Sequence, residues 1–201
     1  MRPERIVSTV YFITHPEVVI EPERPVPRWH LSDLGIARMR TFAASAIMQS
    51  IASIWASTET KAIEGAGILA GARGLPISIH PGLDENDRSA TGYLPHEEFQ
   101  RLADAFFARP HESVRGWERA IDAQHRAAAA FEAITSTAPA GDIAIVAHGG
   151  VGTLLYCHLA ERPTGRQHDQ PAQGCYWSCT RDRRVPLHAW RSIASASITT
   201  A

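Results

Sequence analysis

Two apolar runs near opposite ends of the chain constrain the fold more than any other feature. Val10-Tyr11-Phe12-Ile13-Thr14 leads into His15-Pro16-Glu17, and Ile143-Ala144-Ile145-Val146-Ala147 leads into His148-Gly149-Gly150. Each reads as a strand that runs out into a turn at a histidine. Ligands of open α/β sheets collect at the carboxyl ends of strands, so this layout sets two imidazoles to face one pocket.

The segments between alternate strand-like and helix-like patterns, as expected of an α/β layered domain. The first strand is expected over residues 5–14. After the proline-rich stretch Glu21–Pro27, Ser32 is a good N-cap for a helix carrying Leu34, Met39, Phe42, Ala43, Ala46 and Ile47. Ala52–Ala56 reads as a second strand, with Ser57 or Thr58 opening a helix that stops near Gly71 or Gly74. A third strand, Ile77–His80, precedes a polar stretch from Pro81 to Pro95, long enough to form part of a site wall. Helices are expected over residues 96–109 and 114–135. A helical stripe, Val151, Leu154, Leu155 and Leu159, follows His148. Tyr176-Trp177 and Leu187–Trp190 suggest a closing strand pair around Arg181–Arg184, with Pro186 suited to a strand start or edge.

A chain of 201 residues, 44% hydrophobic, is the size of a single domain with a sizeable core. We therefore expect one domain over residues 1–201. Its 20 Lys plus Arg against 21 Asp plus Glu leave a net charge of −1, which argues against a nucleic-acid partner. No apolar stretch approaches the roughly 18 residues of a membrane span, and a cytoplasmic location is the default expectation. Cys157, Cys175 and Cys179 are odd in number and lack a Cys-x-x-Cys pair. On one extended strand Cys175 and Cys179 would lie about 13 Å apart, too far for a disulfide without a bend. Reduced thiols are expected.

The two histidine motifs bring a known family into view, and two further stretches match it in order. Leu31-Ser32-Asp33-Leu34-Gly35 resembles that family's Leu-Thr-x-x-Gly helix start, and Ser57-Thr58-Glu59-Thr60-Lys61-Ala62 its Ser-x-x-x-Arg-Ala segment. Thr14-His15-Pro16-Glu17 stands in place of an Arg-His-Gly signature, and Ala147–Val151 is close to the second histidine motif. The chain thus resembles the histidine phosphatase, or phosphoglycerate mutase-like, superfamily over nearly its whole length. The resemblance implies a three-layer αβα sandwich around a mostly parallel sheet. It also implies a phosphomonoesterase of the histidine acid phosphatase kind, acting on a small phosphorylated metabolite. His15 would become a phosphohistidine, His148 would donate to the phosphoryl oxygens, and Glu85 would be the proton donor. A neutral imidazole is a competent nucleophile, and two displacements lower each barrier.

The departures bear on phosphate binding. Thr14 replaces an arginine and offers one hydroxyl, and Pro16 has no N–H; loss of such a donor costs on the order of 10²–10³ in rate when nothing replaces it. Lys61 keeps the charge of a second arginine and gives up its planar fork. Thr14, Lys61 and Arg28 are the phosphate-binding candidates, with Arg88 a further basic residue nearby. Asp87 rivals Glu85 as the acid, each having the alternative of a solvated loop carboxylate. Trp29, Tyr93 and Trp117 are candidates for an apolar wall, although core packing explains aromatics equally well. Glu112-Ser113 reads as well as a helix cap as a family feature. The remaining histidines lack metal-ligand spacing, and neither metal nor cofactor is expected. Alternative readings are a catalytically weak relative that binds a phosphorylated ligand without turnover, and a phosphoglycerate mutase-type phosphotransferase. Substrate identity and oligomeric state are not written in the sequence.

Overall fold

The computed structural model describes residues 8–196. Its sheet contains β1 (Thr9–Thr14), β2 (Ile51–Ala56), β3 (Ile77–Ile79), β4 (Asp142–Ala147), β5 (Cys175–Thr180) and β6 (Arg191–Ser192), in the order β3-β2-β4-β1-β5-β6. The first four of that order run parallel, whereas β5 is antiparallel to β1 and β6 to β5. The helices are α1 (Asp33–Ala43), α2 (Thr60–Arg73), α3 (His96–Ala108), α4 (Ala120–Thr137) and α5 (Gly149–Leu159).

Successive side chains of a strand point to opposite faces, and β1 and β4 supply both faces with apolar groups. Val10, Phe12, Ile143 and Ile145 pack into a core shared with Phe106 of α3, Phe131 of α4 and Leu154 of α5. Ile13, Ala144 and Val146 pack into a second core with Met39 and Phe42 of α1 and Ala66 and Leu69 of α2. Burial on both sides is why these strands read as continuous apolar runs. The result is the expected αβα sandwich with a mostly parallel sheet. Phe12 stacks on Trp177 of β5 with ring centroids 5.1 Å apart, which joins the antiparallel edge to the centre.

Local chemistry explains most element boundaries. Ser32 caps α1 as expected, its Oγ accepting from Gly35 N. Gly35 is required because a Cβ there would stand 2.2 Å from the Glu17 carbonyl oxygen, which itself accepts from Ser32. α2 ends at Gly74 in the left-handed conformation, φ 65°, where glycine is favoured. Cys157, Cys175 and Cys179 are buried free thiols. No helix among the described residues is long and apolar enough to cross a membrane.

Several boundaries differ from expectation. α1 ends at Ala43, and the expected Ala46 and Ile47 fall in a separate 3-10 turn, Ala46–Met48. β1 begins at Thr9, and residues 5–7 of the expected strand lie outside the described residues. α2 starts at Thr60 rather than at Ser57 or Thr58, because the Ser57 hydroxyl is bonded to His148 and Thr58 to Asp84. α4 starts at Ala120 instead of residue 114: Arg115 and Gly116 take φ of 51° and 83°, which no helix accommodates, and Ser113 Oγ donates to the Trp117 carbonyl without capping α4. At the C-terminal edge, Pro186 makes only an isolated bridge to Cys179, Leu187 is exposed, and the strand pairing with β5 comes later, at Arg191–Ser192.

Candidate active site

Strand order creates the site. Because β1 and β4 are parallel neighbours with Thr14 opposite Ala147, the next residues of each, His15 and His148, leave the sheet side by side. His15 N donates to the Ala147 carbonyl at 3.0 Å, and the two imidazoles meet edge-to-face with centroids 5.3 Å apart. His15 Nδ1 lies 2.9 Å from the Pro16 carbonyl oxygen. A carbonyl only accepts, so this contact assigns the proton to Nδ1 and leaves a lone pair on Nε2. His148 is fully buried, with Nε2 2.7 Å from Ser57 Oγ and 3.5 Å from Glu59 Oε1. Its Nδ1 has no hydrogen-bond partner among the described residues.

Burial pushes the pKa of both imidazoles down to about 3, helped for His15 by His148 and then Lys61, and for His148 by Lys61. Both rings are therefore neutral at physiological pH.

His15 opens on a cavity of about 680 Å³ that Lys61, Glu85, Arg88, Arg166, Asp169 and Gln170 also line. Glu85 sits at the start of α5, accepting from Gly150 N at 3.0 Å and Val151 N at 2.9 Å. This explains the paired glycines after His148: a Cβ on Gly150 would lie 2.6 Å from Glu85 Oε1, and one on Gly149 2.3 Å from Gln170 Nε2. Arg126 of α4 fixes the Glu85 loop from behind, donating to the Gly82 and Asp84 carbonyls and pairing with Glu118. Asp87, the rival acid, is exposed, and hydrogen bonds from Ser89 hold its carboxyl below the usual range.

Of the anticipated phosphate ligands, Lys61 reaches the cavity and Thr14 and Arg28 do not line it. Thr14 is buried with its hydroxyl engaged by Gln170 Oε1 at 2.6 Å and by the Cys175 backbone. It faces β5 and orients Gln170, because the side chain of an extended residue one before His15 points to the other side of the chain. Arg28 is exposed on the turn after β1. Trp29, Tyr93 and Trp117 all line the cavity, as does much of the 81–95 loop.

Arg166, Asp169 and Gln170 of the cavity wall were missed by sequence reading, and so was the most connected residue of the site, Glu59. Its Oε2 pairs with Lys61 Nζ, which also donates to the Val26 carbonyl at 2.9 Å, while Oε1 accepts from Glu85 N at 2.8 Å. Both Glu59 and Lys61 are almost wholly buried. Glu59 thus touches the second histidine, the lysine and the Glu85 loop together. Its only sequence signal is its place within the Ser57–Ala62 segment.

The sequence matches the model of the histidine phosphatase superfamily (branch 1) over residues 11–188. No curated protein matches it significantly. Among solved structures, the mycobacterial glucosyl-3-phosphoglycerate phosphatase superposes with a TM-score of 0.73 at 17% identity, covering 92% of this chain and 96% of that one. The alpha-ribazole phosphatase from Shigella flexneri gives 0.71 at 20% identity, covering 96% and 99%. Bacillus stearothermophilus YhfR gives 0.70 at 25% identity, covering 85% and 90%.

Proposed function

Because the chain belongs to the histidine phosphatase superfamily, we propose that it is a phosphomonoester hydrolase working through a phosphohistidine at His15. The observation that carries this reading is the pair of neutral imidazoles 5.3 Å apart, with the lone pair of His15 Nε2 left free by the Pro16 contact. The phosphatases named among the structural neighbours agree with it.

In the first step His15 Nε2 attacks phosphorus and the ester P–O bond breaks, with Glu85 delivering a proton to the leaving alcohol. In the second, water attacks the phosphohistidine, Glu85 takes the water proton, and the N–P bond breaks to release inorganic phosphate. Ser57 Oγ accepts from Glu59 N at 3.2 Å and lies 2.7 Å from His148 Nε2; in this reading it donates there, and the His148 proton is on Nδ1. That buried, unpartnered donor is then available to a phosphoryl oxygen as charge builds. Lys61 and the amide of Gln170 supply the remaining contacts in place of an arginine fork.

A second reading, phosphate binding without turnover, is favoured by one observation: Thr14, which stands in place of an arginine, turns its hydroxyl to Gln170 and Cys175, so the pocket lacks one charged donor for the transition state. Phosphate release from p-nitrophenyl phosphate and a panel of sugar, nucleotide and amino-acid phosphates separates the two. Hydrolysis predicts activity that disappears in His15→Ala. Equal release by both proteins refutes it, and ligand-induced thermal shifts without turnover establish the binding reading.

A further inference from the structure

The connection between β1 and α1 doubles back on itself. Val18 bridges Leu31, Val19 N donates to the His30 carbonyl at 2.9 Å, and Trp29 Nε1 donates to the Glu21 and Arg24 carbonyls at 2.9 and 3.1 Å, so that residues 18–31 form a flap tied at its base and across its middle. Its side chains are sorted by polarity. Val18, Ile20, Val26 and Trp29 line the cavity, whereas Glu21, Glu23, Arg24 and Arg28 of the same flap do not. The charged side chains of the cavity, Lys61, Glu85, Arg88, Arg166 and Asp169, all come from outside the flap.

This apolar wall is continuous with the reacting end and distinct from it. The Val26 carbonyl accepts from Lys61 Nζ at 2.9 Å, which joins the flap to the site. The rings pair separately: Trp29 packs on Tyr93 of the 81–95 loop with centroids 5.7 Å apart, while the two imidazoles pair with each other. Ile20 is 58% exposed and Tyr93 36%, and large apolar side chains left open on the wall of a concave site mark the place of an apolar ligand group. Hydrogen-bonding groups of the surrounding wall are already engaged within the protein. The Trp29 N–H serves two carbonyls, Trp117 Nε1 donates to Thr91 Oγ1 at 2.9 Å, and Gln100 Oε1 accepts from Arg166. The flap therefore offers ring faces and aliphatic surface, which suit hydrocarbon and leave the desolvation of sugar hydroxyls uncompensated.

We propose that the phosphomonoester of this site is the ester of an apolar alcohol, whose alkyl or arylalkyl group lies along the flap against Val18, Ile20, Val26 and Trp29 and beside Tyr93. The proposal rests on the reading of His15 as the phosphoryl acceptor, which sets the phosphate end next to Lys61 and sends the leaving group along the flap.

The test compares kcat/KM for n-alkyl phosphates from propyl to octyl, whose leaving alcohols are equally reactive, with ω-hydroxyalkyl phosphates of the same lengths and with sugar phosphates. Phenylalkyl phosphates form a further arm that separates a preference for rings from one for chains. In wild type kcat/KM rises about two- to fourfold with each added methylene, the yield of burying that group in part or in full, until the wall is covered, and a terminal hydroxyl cancels the gain. In Ile20→Ser/Tyr93→Ser the rise flattens, read as a ratio of long to short esters within each protein. Ile20→Ser alone, at a side chain already mostly exposed, carries the test if circular dichroism shows that the double variant does not fold. Equal kcat/KM at every length, a preference for the hydroxylated esters, or a rise that persists undiminished in the variant overturns the proposal. The same series as alkylphosphonates is titrated into His15→Ala by calorimetry. Affinity that grows with chain length while wild type turns over no ester keeps the apolar subsite and rejects hydrolysis; turnover without dependence on length rejects the subsite alone, and neither turnover nor length-dependent affinity rejects both.

Discussion

Replacing Glu59 with glutamine removes one negative charge from beside the two histidines while keeping the shape of the side chain. In wild type the Lys61 ammonium lies between the Glu59 carboxylate and the Val26 carbonyl, with the two charged side chains only 4% and 5% exposed. An incoming phosphoryl oxygen bonded to Lys61 Nζ stands roughly 5 Å from the Glu59 carboxylate, and at an effective dielectric near 20 each unit of phosphate charge is repelled by about 3 kcal/mol. Relaxation and residual water reduce this, so the substitution is expected to tighten orthophosphate and orthovanadate binding by about 10- to 100-fold. The unliganded protein moves the other way. Leaving Lys61 buried without its partner costs about 3–5 kcal/mol, and saturating phosphate restores part of it by mass action. Calorimetry at low salt measures the affinity, and urea denaturation with and without phosphate measures the stability. A folded Glu59→Gln protein that binds phosphate no more tightly than wild type refutes the placement of Lys61 at the phosphate. So does a gain that persists in Glu59→Gln/Lys61→Met.

Three further outcomes follow from the same geometry. His148 is buried and neutral with its pKa lowered from 6.5 to about 3, so the unfolded chain takes up a proton near pH 6.5 that the native state refuses until about 3. The resulting penalty is absent above pH 6.5 and grows as pH falls, reaching about 2 kcal/mol by pH 5; urea denaturation of His148→Gln should show that much less acid sensitivity, and an unaltered slope contradicts the burial argument. Gly150→Ala places a Cβ 2.6 Å from Glu85 Oε1 and should lower kcat by about 10²-fold or more through displacement of the acid, with wild-type rates in a folded variant ruling out Glu85 as the proton donor. Thr14→Val strips the buried Cys175 N of its acceptor and should cost about 1–3 kcal/mol in a thermal or urea melt; a neutral result shows that the contact with β5 carries little stability.

The two histidines were legible because their positions follow from local pattern. Apolar runs buried on both faces become central strands of a parallel sheet, and the residue after each strand lies at the ligand-binding edge. Ser32 and Gly74 were legible for the same reason, since capping and left-handed turns depend on a few adjacent residues. The 114–119 segment was not, because two consecutive left-handed residues interrupt a pattern whose composition still favours helix. The closing strand pair was misplaced because edge pairing is decided by what the neighbouring strand offers, and the bridge at Pro186 gives way to pairing at Arg191–Ser192.

By itself, the sequence determined the alternating α/β pattern and the histidine at the end of each of two apolar strands, which rest on periodicity and turn chemistry, while the place of Glu85 in the site came from the family resemblance and the adjacency of the two strands from the sheet. Only the tertiary structure decided the charge of the pocket. Thr14 turns to β5 and Gln170, Lys61 is neutralised by Glu59, Arg126 clamps the acid's loop, and Arg88 lies against Phe99 and Trp117. Those outcomes depend on which side chains from distant segments meet at hydrogen-bond distance, and the interaction of two buried charges is set by that separation and by the exclusion of water, neither of which a one-dimensional pattern records.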